Sequence, residues 1–205
     1  MTSQNIRAII FDFGGVLVDW NPRNLYQEYF PEQPEAMENF LTEINFMEWN
    51  AQQDKGRSFA EATALLSKEF PQHAKLIHAY HQNWERSIVG QIDESAELLK
   101  ALKRKGYSIY GLSNWSAETF PIARKRYQVF ELLDDYVLSG DVSLIKPGEE
   151  IFEYSLKKFG RTAQECLFID DSEPNILTAQ KLGFDTVHFT SPAQLKTELT
   201  ARNLL

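Results

Sequence analysis

Short apolar runs alternate with helical patterns along most of this chain of 205 residues, and this alternation limits the fold more than any other feature. The runs are rich in β-branched and aromatic residues, as strands are. They lie within "RAIIFDF" at 7–13, "YSIYGLS" at 107–113, "DYVLS" at 135–139, "CLFIDD" at 166–171 and "TVHF" at 186–189. The helical patterns cover 95–106, 116–127, 148–160 and 173–184. Because strands that alternate with helices form parallel sheets covered on both faces, the sequence predicts a doubly wound α/β fold.

The segment between the first predicted strand and the rest of the sheet shows only helical patterns. It is interrupted by the turn-forming stretches "NP", "FPEQPE", "DKGRS" and "FPQH", and it contains no strand-like run. A helical insertion of this kind has to lie above the sheet that it interrupts. We therefore predict an α/β core formed by residues 1–18 and 91–205 and a helical cap formed by residues 19–90.

Polar residues come directly after the predicted strands, at the points where the strands end. In open α/β sheets, ligands bind beyond the carboxyl ends of the strands, so side chains at these ends converge on one site. The residues concerned are Asp12, Ser113, Asn114, Lys146, Asp170 and Asp171. We therefore expect four loops to build a single functional site at this edge of the sheet.

This set of side chains suits phosphate chemistry around a metal ion. Three aspartates in one crevice raise one another's pKa unless a cation lies between them, and Mg²⁺ is a hard dication that takes oxygen ligands. Lys146, the Ser113 hydroxyl and backbone amides could then hold phosphate oxygens. Asp12 keeps one oxygen free for nucleophilic attack and could form a covalent acyl phosphate.

Four sequence blocks, taken in order, resemble the motifs of a known family. The blocks are "FDFGGVL", "LSN", "KP" and "FIDDSEPN". Together they resemble motifs one to four of the haloacid dehalogenase-like (HAD) hydrolase superfamily, which implies a HAD-like Rossmannoid core. The insertion after the first block resembles the helical cap of subclass I, and the opening "DFGGVLVDWNP" is similar to the glucose-1-phosphatase-like group.

The resemblance also implies a role for each matching residue. Asp12 would be the nucleophile, with Lys146 and Ser113 as further catalytic residues. The implied phosphate-binding residues are Ser113, Asn114, Lys146 and Gly15, and the implied metal ligands are Asp12, the carbonyl of Gly14, Asp171 and Asp170. Of the acidic pair, Asp171 would contact Mg²⁺ directly and Asp170 would act through water, with Asn175 orienting the pair.

One position departs from the family pattern. Phosphatases of the superfamily typically carry an aspartate two residues after the nucleophile, which protonates the leaving group and later activates water, whereas this chain has Gly14. A general acid and base typically increases the reaction rate by a factor of about 10² to 10⁴. Asp19 could replace it from the cap hinge, but a hinge or capping role is the favoured interpretation. Gly14 and Gly15 are expected to allow positive φ and close approach of the backbone to a metal and a phosphate.

These features favour one function over two alternatives. The favoured function is Mg²⁺-dependent hydrolysis of a small phosphorylated metabolite, with a sugar phosphate as one candidate, through an aspartyl-phosphate. The enzymatic alternative is a 2-haloacid dehalogenase, but the resemblance places a tyrosine at the Gly14 position of such enzymes, and their fourth block lacks a full acidic pair. The third hypothesis is a non-catalytic homologue that binds a phosphorylated ligand, because Gly14 removes the usual acid and base.

The four tryptophans are candidates for an aromatic wall under the cap. Trp20, Trp49, Trp84 and Trp115 could line the mouth of the site, where aromatic side chains suit a sugar or another partly apolar ring. Packing in the hydrophobic core is the preferred interpretation for at least two of them.

The overall charge argues against nucleic acid as a partner. The net charge is −8, and no cluster of lysines and arginines exceeds the short segments "KALKRKG" and "ARKRY". No window approaches the run of about 18 apolar residues that spans a membrane, and the amino terminus has no apolar signal core. The lone Cys166 lies in an apolar run, which predicts a buried thiol and a reducing compartment. We therefore expect a cytoplasmic protein with no membrane partner.

Overall fold

The computed structural model describes residues 6–205 and has a parallel sheet at its centre. In chain order, the strands are β1 (Ala8–Phe11), β2 (Val18–Trp20), β3 (Ile88–Gln91), β4 (Ser108–Ser113), β5 (Asp135–Leu138), β6 (Cys166–Asp170) and β7 (Asp185–His188). The α-helices are α1 (Pro22–Tyr26), α2 (Pro34–Glu43), α3 (Phe46–Asp54), α4 (Phe59–Glu69), α5 (Ala74–Gln82), α6 (Asp93–Arg104), α7 (Phe120–Arg126), α8 (Ser139–Val142), α9 (Glu149–Phe159), α10 (Glu173–Lys181) and α11 (Pro192–Ala201). None of the helices within this range is long and apolar enough to cross a membrane.

Five strands form the central sheet in the order β5-β4-β1-β6-β7, and all neighbouring strands are parallel. β1 lies in the middle, with Ile9 opposite Ile109 of β4 and Leu167 of β6. These five strands coincide with the five predicted runs, so the doubly wound α/β fold is confirmed. Because the strands are parallel, their carboxyl ends lie along one edge of the sheet.

Helices cover both faces of this sheet, because successive side chains of a strand point to opposite faces. On β1, Ile9 and Phe11 belong to a buried cluster that includes Leu99 of α6. Ile10 belongs to a second cluster, which includes Phe152 of α9. Burial on both faces explains why the sequence of β1 is an uninterrupted apolar run rather than an alternating one.

The insertion between β2 and β3 consists of α1 to α5 and has an aromatic core of its own. Tyr80 of α5 is fully buried, and its ring centroid lies 4.9 Å from that of Phe46, 5.9 Å from that of Trp49 and 6.2 Å from that of Tyr26. Aromatic pairs at such separations are stabilising beyond the area that they bury. The insertion is helical, as expected, and its division from the core at the predicted boundaries stays a prediction.

Two short strands correct the expectation that the insertion contains no strand. β2 and β3 pair in antiparallel fashion, with Val18 opposite Gln91 and Trp20 opposite Ile88. They have three and four residues, respectively, which is too short for a periodic pattern to be visible in the sequence. The resulting ribbon joins the insertion to the core, and both predicted domain boundaries fall inside it.

The single cysteine is buried, as the sequence predicts. Cys166 begins β6 and has no exposed surface. Burial raises the pKa of its thiol to about 12. The side chain therefore serves as packing and is not a reactive thiolate.

Candidate active site

The residues at the ends of the strands converge on one cavity, as the parallel sheet requires. The cavity has a volume of about 400 Å³ and is lined by residues from the carboxyl edge of the sheet and from the helical insertion. Its core-side wall is formed by Asp12, Gly14, Gly15, Ser113, Asn114, Ile145 and Asp171. Lys146 and Asp170 are buried behind this wall and do not line the cavity.

Asp12 is held at the cavity by the loop after β1. The next side chain, Phe13, is buried in the core, with its ring centroid 4.9 Å from that of Phe130 and 5.5 Å from that of Phe120. Gly111 of β4 makes room for it, because a Cβ atom at that position would lie 2.3 Å from the Phe13 ring. The Phe13 amide also donates a 2.7 Å hydrogen bond to Asp12 Oδ1. Phe13 therefore anchors the loop while Asp12 faces the cavity.

Asp12, Asp170 and Asp171 form a cluster of carboxylates. Each offers one oxygen, and these oxygens lie within 4.8 Å of one another. Burial raises the pKa of Asp12 to about 7; the Lys146 charge and a Ser113 hydrogen bond lower it, whereas the two other aspartates raise it. The positive charge of one lysine therefore does not fully compensate the cluster, which favours a further cation between the carboxylates.

Lys146 supplies positive charge from behind the cluster. Its Nζ lies 2.6 Å from Asp170 Oδ2 and 3.2 Å from Asp12 Oδ1, and it donates a 2.8 Å hydrogen bond to the carbonyl of Leu112. Burial lowers the pKa of Lys146, but the two carboxylates outweigh this effect and raise it above its usual value. The ammonium thus donates to Leu112 and Asp170 and forms a further ion pair with Asp12. The ammonium faces Asp12 and Asp170, and the predicted contact between Lys146 and phosphate stays a prediction.

Two asparagines fix the positions of these charged groups. Asn114 Nδ2 donates to the carbonyl of Lys146 and Asn114 Oδ1 accepts from the Lys146 amide, both at 2.9 Å. Asn175 Nδ2 lies 3.0 and 3.1 Å from the two carboxylate oxygens of Asp170, and the Ser172 amide donates to Asp170 Oδ1 at 2.8 Å. Asn114 therefore ties the loop of Lys146 to the end of β4, and Asn175 orients the buried member of the acidic pair.

The two glycines of the loop after β1 differ in conformation. Gly15 has a φ of 74°, and a Cβ atom on it would lie 2.3 Å from Asp171 Oδ2. Gly14 is outside the positive φ range, and a Cβ atom there would meet no heavy atom closer than Trp20 Cβ at 4.0 Å. The expectation of positive φ is therefore right for Gly15 and wrong for Gly14, which forms a bridge with Val18 that any residue type could adopt.

The donor set fits a hard dication such as Mg²⁺. Asp12 and Asp171 present carboxylates to the cavity, and the backbone of Gly14 lines the same wall. Asp170 lies behind them and forms an ion pair with Lys146, which compensates its negative charge. Mg²⁺ takes oxygen ligands, usually one or two carboxylates, and keeps positions for water and phosphate oxygens. The excess of negative charge and the all-oxygen donors match those requirements.

Gly15→Ala is expected to displace the carboxylate of Asp171, which the sequence predicts to be a metal ligand, and on that prediction to lower the affinity for Mg²⁺ by about 10-fold or more. The new Cβ atom would lie 2.3 Å from Asp171 Oδ2, so the carboxylate has to move. Titration calorimetry with MgCl₂ measures the change. Gly106→Ala is the matched control, because Gly106 has a φ of 92° and no atom within 4 Å of its Cβ position. Equal Mg²⁺ affinity in Gly15→Ala and the unaltered protein would contradict the role of Asp171.

The cap side of the cavity contains polar residues that the sequence analysis missed. Asn50 and Asp54 of α3 line this wall, together with Thr119 of the core. The two α3 residues are one helical turn apart, and Asn50 Nδ2 donates a 2.8 Å hydrogen bond to Asp54 Oδ2. Their spacing in "WNAQQD" is the only local signal, and a solvated helix face explains such a pair equally well.

Three of the four tryptophans form an aromatic wall in the cavity. Trp20, Trp84 and Trp115 line it, and the ring centroids of the last two are 5.6 Å apart. Trp49 packs in the aromatic core of the insertion instead. Trp49, Trp84 and Trp115 are all buried, so both parts of the prediction hold, a lining role for some tryptophans and core packing for others.

The chain has a doubly wound sheet under a helical insertion, with a carboxylate cluster and a buried lysine at the carboxyl edge of the sheet. This combination is that of a hydrolytic enzyme with an α/β core. Residues 6–183 match the family model of the haloacid dehalogenase-like hydrolases. The chain belongs to this family, which confirms the resemblance of the four sequence blocks. The narrower assignment to the glucose-1-phosphatase-like group stays a prediction.

Several characterised proteins are similar to this chain over nearly its whole length. A sesquiterpene phosphatase of Aspergillus oryzae is 28% identical over 188 residues, which cover 90% of each protein. A D-ribitol-5-phosphate phosphatase of Bacteroides thetaiotaomicron is 25% identical over 203 residues, which cover 95% of this chain and 97% of that protein. A HAD family enzyme of Bacteroides thetaiotaomicron, solved in complex with magnesium and inorganic phosphate, has a TM-score of 0.66 and 28% identity over 90% of this chain and 94% of that chain.

Proposed function

We propose that this protein is a Mg²⁺-dependent phosphatase that hydrolyses a small phosphorylated metabolite through an aspartyl-phosphate intermediate. The observation that carries the proposal is the cluster of three carboxylates, backed by a buried lysine, at the wall of the cavity. Two phosphatases among the similar proteins support it, as does the related structure that holds magnesium and phosphate.

Asp12, the carbonyl of Gly14 and Asp171 would hold Mg²⁺, with Asp170 acting through water. When bound, the ion would offset the negative charge of the phosphate. From the buried side, Lys146 lowers the pKa of Asp12 against the larger effect of burial, and it forms an ion pair with Asp170.

Asp12 would be the nucleophile, and its surroundings orient it before a substrate binds. The Phe13 amide and Lys146 Nζ both approach Oδ1, at 2.7 and 3.2 Å. Such a fixed carboxylate avoids the cost of reorientation during attack. Ser113, Asn114 and Gly15 lie on the same wall, and the Ser113 hydroxyl would hold a phosphate oxygen. The Gly15 amide donates to the carbonyl of Val18 and the Asn114 side chain binds the backbone of Lys146, so these groups would shape the phosphate site.

The volume and the aromatic lining of the cavity indicate which class of substrate it can hold. Its volume of about 400 Å³ accommodates a phosphate and a small organic group. Trp20, Trp84 and Trp115 offer apolar surface on which the non-polar face of a sugar or polyol, or a hydrocarbon chain, can pack. Substrates of both kinds are therefore candidates, a sugar phosphate among them.

The two alternatives predict different activities. A 2-haloacid dehalogenase, a type of enzyme that is also among the similar proteins, would release chloride from 2-chloropropionate without a metal. The acidic pair argues against it, because two adjacent carboxylates beside Asp12 are useful chiefly around a cation. A non-catalytic homologue would bind a phosphorylated ligand tightly and show no turnover.

A screen of several dozen phosphorylated metabolites in the presence of Mg²⁺ tests the proposal. We expect phosphate release from at least one of them, and a loss of about 100-fold or more in the presence of EDTA, because a metal ion commonly contributes several kcal/mol to such transition states. An excess of Mg²⁺ should restore the rate. Full activity in EDTA, or halide release without phosphate release, would refute the proposal.

A further inference from the structure

The proposed reaction needs a proton for its leaving group. An alkyl phosphate leaves as an alkoxide, which has to receive a proton as its bond to phosphorus breaks. Lys146 is buried and paired with Asp12 and Asp170, Asp171 belongs to the carboxylate cluster, and Gly14 has no side chain. The proton therefore has to come from another wall of the cavity.

Asp54 lies on the opposite, cap-side wall. It is the last residue of α3, it is half-buried, and it lines the same cavity as Asp12. Asp19, the replacement considered from the sequence, is exposed on β2 and does not line the cavity. Of the two cap aspartates, only Asp54 is thus within the space that a substrate would occupy.

The core of the insertion fixes the side chain of Asp54. Tyr80 Oη donates a 3.2 Å hydrogen bond to Asn50 Oδ1, which directs the amide nitrogen of Asn50 towards Asp54. Asn50 Nδ2 then donates to Asp54 Oδ2 at 2.8 Å. Because Tyr80 is fully buried among aromatic rings, this chain of two hydrogen bonds starts from a rigid position.

A contact with the core fixes the backbone of Asp54. Ser139 Oγ donates to the carbonyl of Asp54, and it accepts a 2.9 Å hydrogen bond from the amide of Trp115. Ser139 comes directly after β5, and Trp115 comes shortly after β4, so both belong to the edge of the sheet that carries the site. The end of α3 is therefore docked against the catalytic edge, and Asp54 is held over the cavity.

Asp54 also has the protonation state that an acid requires. Burial raises the pKa of Asp54 to about 8, and the charge of Asp12 adds to this effect. Hydrogen bonds from the Ser116 amide and from Asn50 lower the pKa but do not cancel the increase. A carboxyl group that is protonated near neutral pH can donate a proton and, once ionised, accept one.

We propose that Asp54 is the general acid and base of the reaction and that it replaces, from the cap, the carboxyl group that Gly14 lacks. This inference rests on the proposed function. In the first step, an oxygen of Asp12 bonds to phosphorus, the bond from phosphorus to the leaving oxygen breaks, and that oxygen takes the proton of Asp54. In the second step, the Asp54 carboxylate takes a proton from water as the water oxygen bonds to phosphorus and the bond to Asp12 breaks. Inorganic phosphate, the Asp12 carboxylate and protonated Asp54 result.

The dependence of the rate on the leaving group tests this assignment. Across a series from 2,4-dinitrophenyl phosphate to an alkyl phosphate, the unaltered protein should show a shallow trend. Asp54→Asn keeps the shape of the side chain, and it should lower kcat/KM for the alkyl ester by about 10² to 10⁴ while changing the dinitrophenyl ester by less than about 10-fold. With the latter ester, rapid mixing should show a burst of one dinitrophenolate per active site, because the second step has lost its base.

A second substitution provides a rescue. Gly14→Asp introduces a carboxyl group into open space, since the nearest heavy atom to its Cβ is Trp20 Cβ at 4.0 Å. The double variant Gly14→Asp/Asp54→Asn should recover a shallow trend, which a merely structural effect of Asp54→Asn would not allow. Asp19→Asn is the matched control and should leave both esters within about 3-fold of the unaltered protein, because an exposed charge outside the cavity has no proton to transfer.

The possible results distinguish the role of Asp54 from the phosphatase activity on which it rests. A steep trend in the unaltered protein, or the same trend in Asp54→Asn, would overturn the role of Asp54 and leave the phosphatase proposal in place. Absence of phosphate release from every ester would overturn both. If Asp54→Asn does not fold, the trend of the unaltered protein still tests the assignment, because a steep trend overturns the role of Asp54 and a shallow trend requires an acid in the cavity.

Discussion

Asp12→Asn is expected to lower the rate of phosphate release by about 10⁴-fold or more, the scale seen when an enzyme loses its nucleophile. An amide oxygen is a poor nucleophile and cannot take the covalent bond to phosphorus that a carboxylate forms. The substitution also removes one of the oxygens that would hold Mg²⁺. Phosphate release at saturating Mg²⁺ measures the effect.

The same substitution should not weaken the fold, which distinguishes lost chemistry from lost structure. Burial raises the pKa of Asp12 from 3.8 to about 7, so in the absence of metal this carboxyl makes the folded protein less stable as the pH rises from about 4 to about 7, and the full cost is present at pH 8. Asparagine has the same shape and no charge. At pH 8 without metal, Asp12→Asn should therefore melt at the same temperature as the unaltered protein or at a higher one. Activity close to that of the unaltered protein would remove Asp12 from the mechanism.

Lys146→Met is expected to lower the free energy of unfolding by about 3–5 kcal/mol, the cost of removing one partner from a buried ion pair. Only 1% of the Lys146 side chain is exposed, and its ammonium lies 2.6 Å from Asp170 and 3.2 Å from Asp12. Without it, two adjacent buried carboxylates face each other with no counter-charge. Chemical denaturation of the metal-free protein measures the loss.

A surface lysine provides the control for this prediction. Lys100 lies 2.7 Å from Glu97, but 41% and 64% of the two side chains are exposed. Water already solvates both charges, so Lys100→Met should stay within about 1 kcal/mol of the unaltered protein. If both lysine variants unfold at the same denaturant concentration, Lys146 does not act as the buried counter-charge.

The centre of the sheet could be predicted from the sequence because its inner strands are buried on both faces. Such strands are continuous apolar runs, and β1 and β6 are of this kind, with every residue buried. The pairing of β2 with β3 could not be predicted, because these strands are three and four residues long and become strands only when the two ends of the insertion meet.

The core half of the site could be predicted for a related reason. Asp12, Ser113 and Asp171 lie at the carboxyl ends of three parallel strands, and parallel strands bring these ends together at one edge of the sheet. The direction of individual side chains was not predictable in this way. Asn114 binds the backbone of Lys146, and the buried ammonium of Lys146 binds Asp12, Asp170 and the carbonyl of Leu112.

The order of the apolar runs, and of the polar residues at their ends, determined the fold class and the convergence of Asp12, Ser113, Asn114 and Asp171 at one edge of the sheet. These are local properties of the chain, since a strand and the residue that ends it are neighbours in sequence. The tertiary structure alone decided that Asp54 shares a cavity with Asp12. That proximity depends on the docking of α3 against the edge of the sheet through Ser139, and on the Tyr80–Asn50 hydrogen bond within the insertion that orients Asn50 towards Asp54. Contacts between distant segments leave no periodic trace in the sequence.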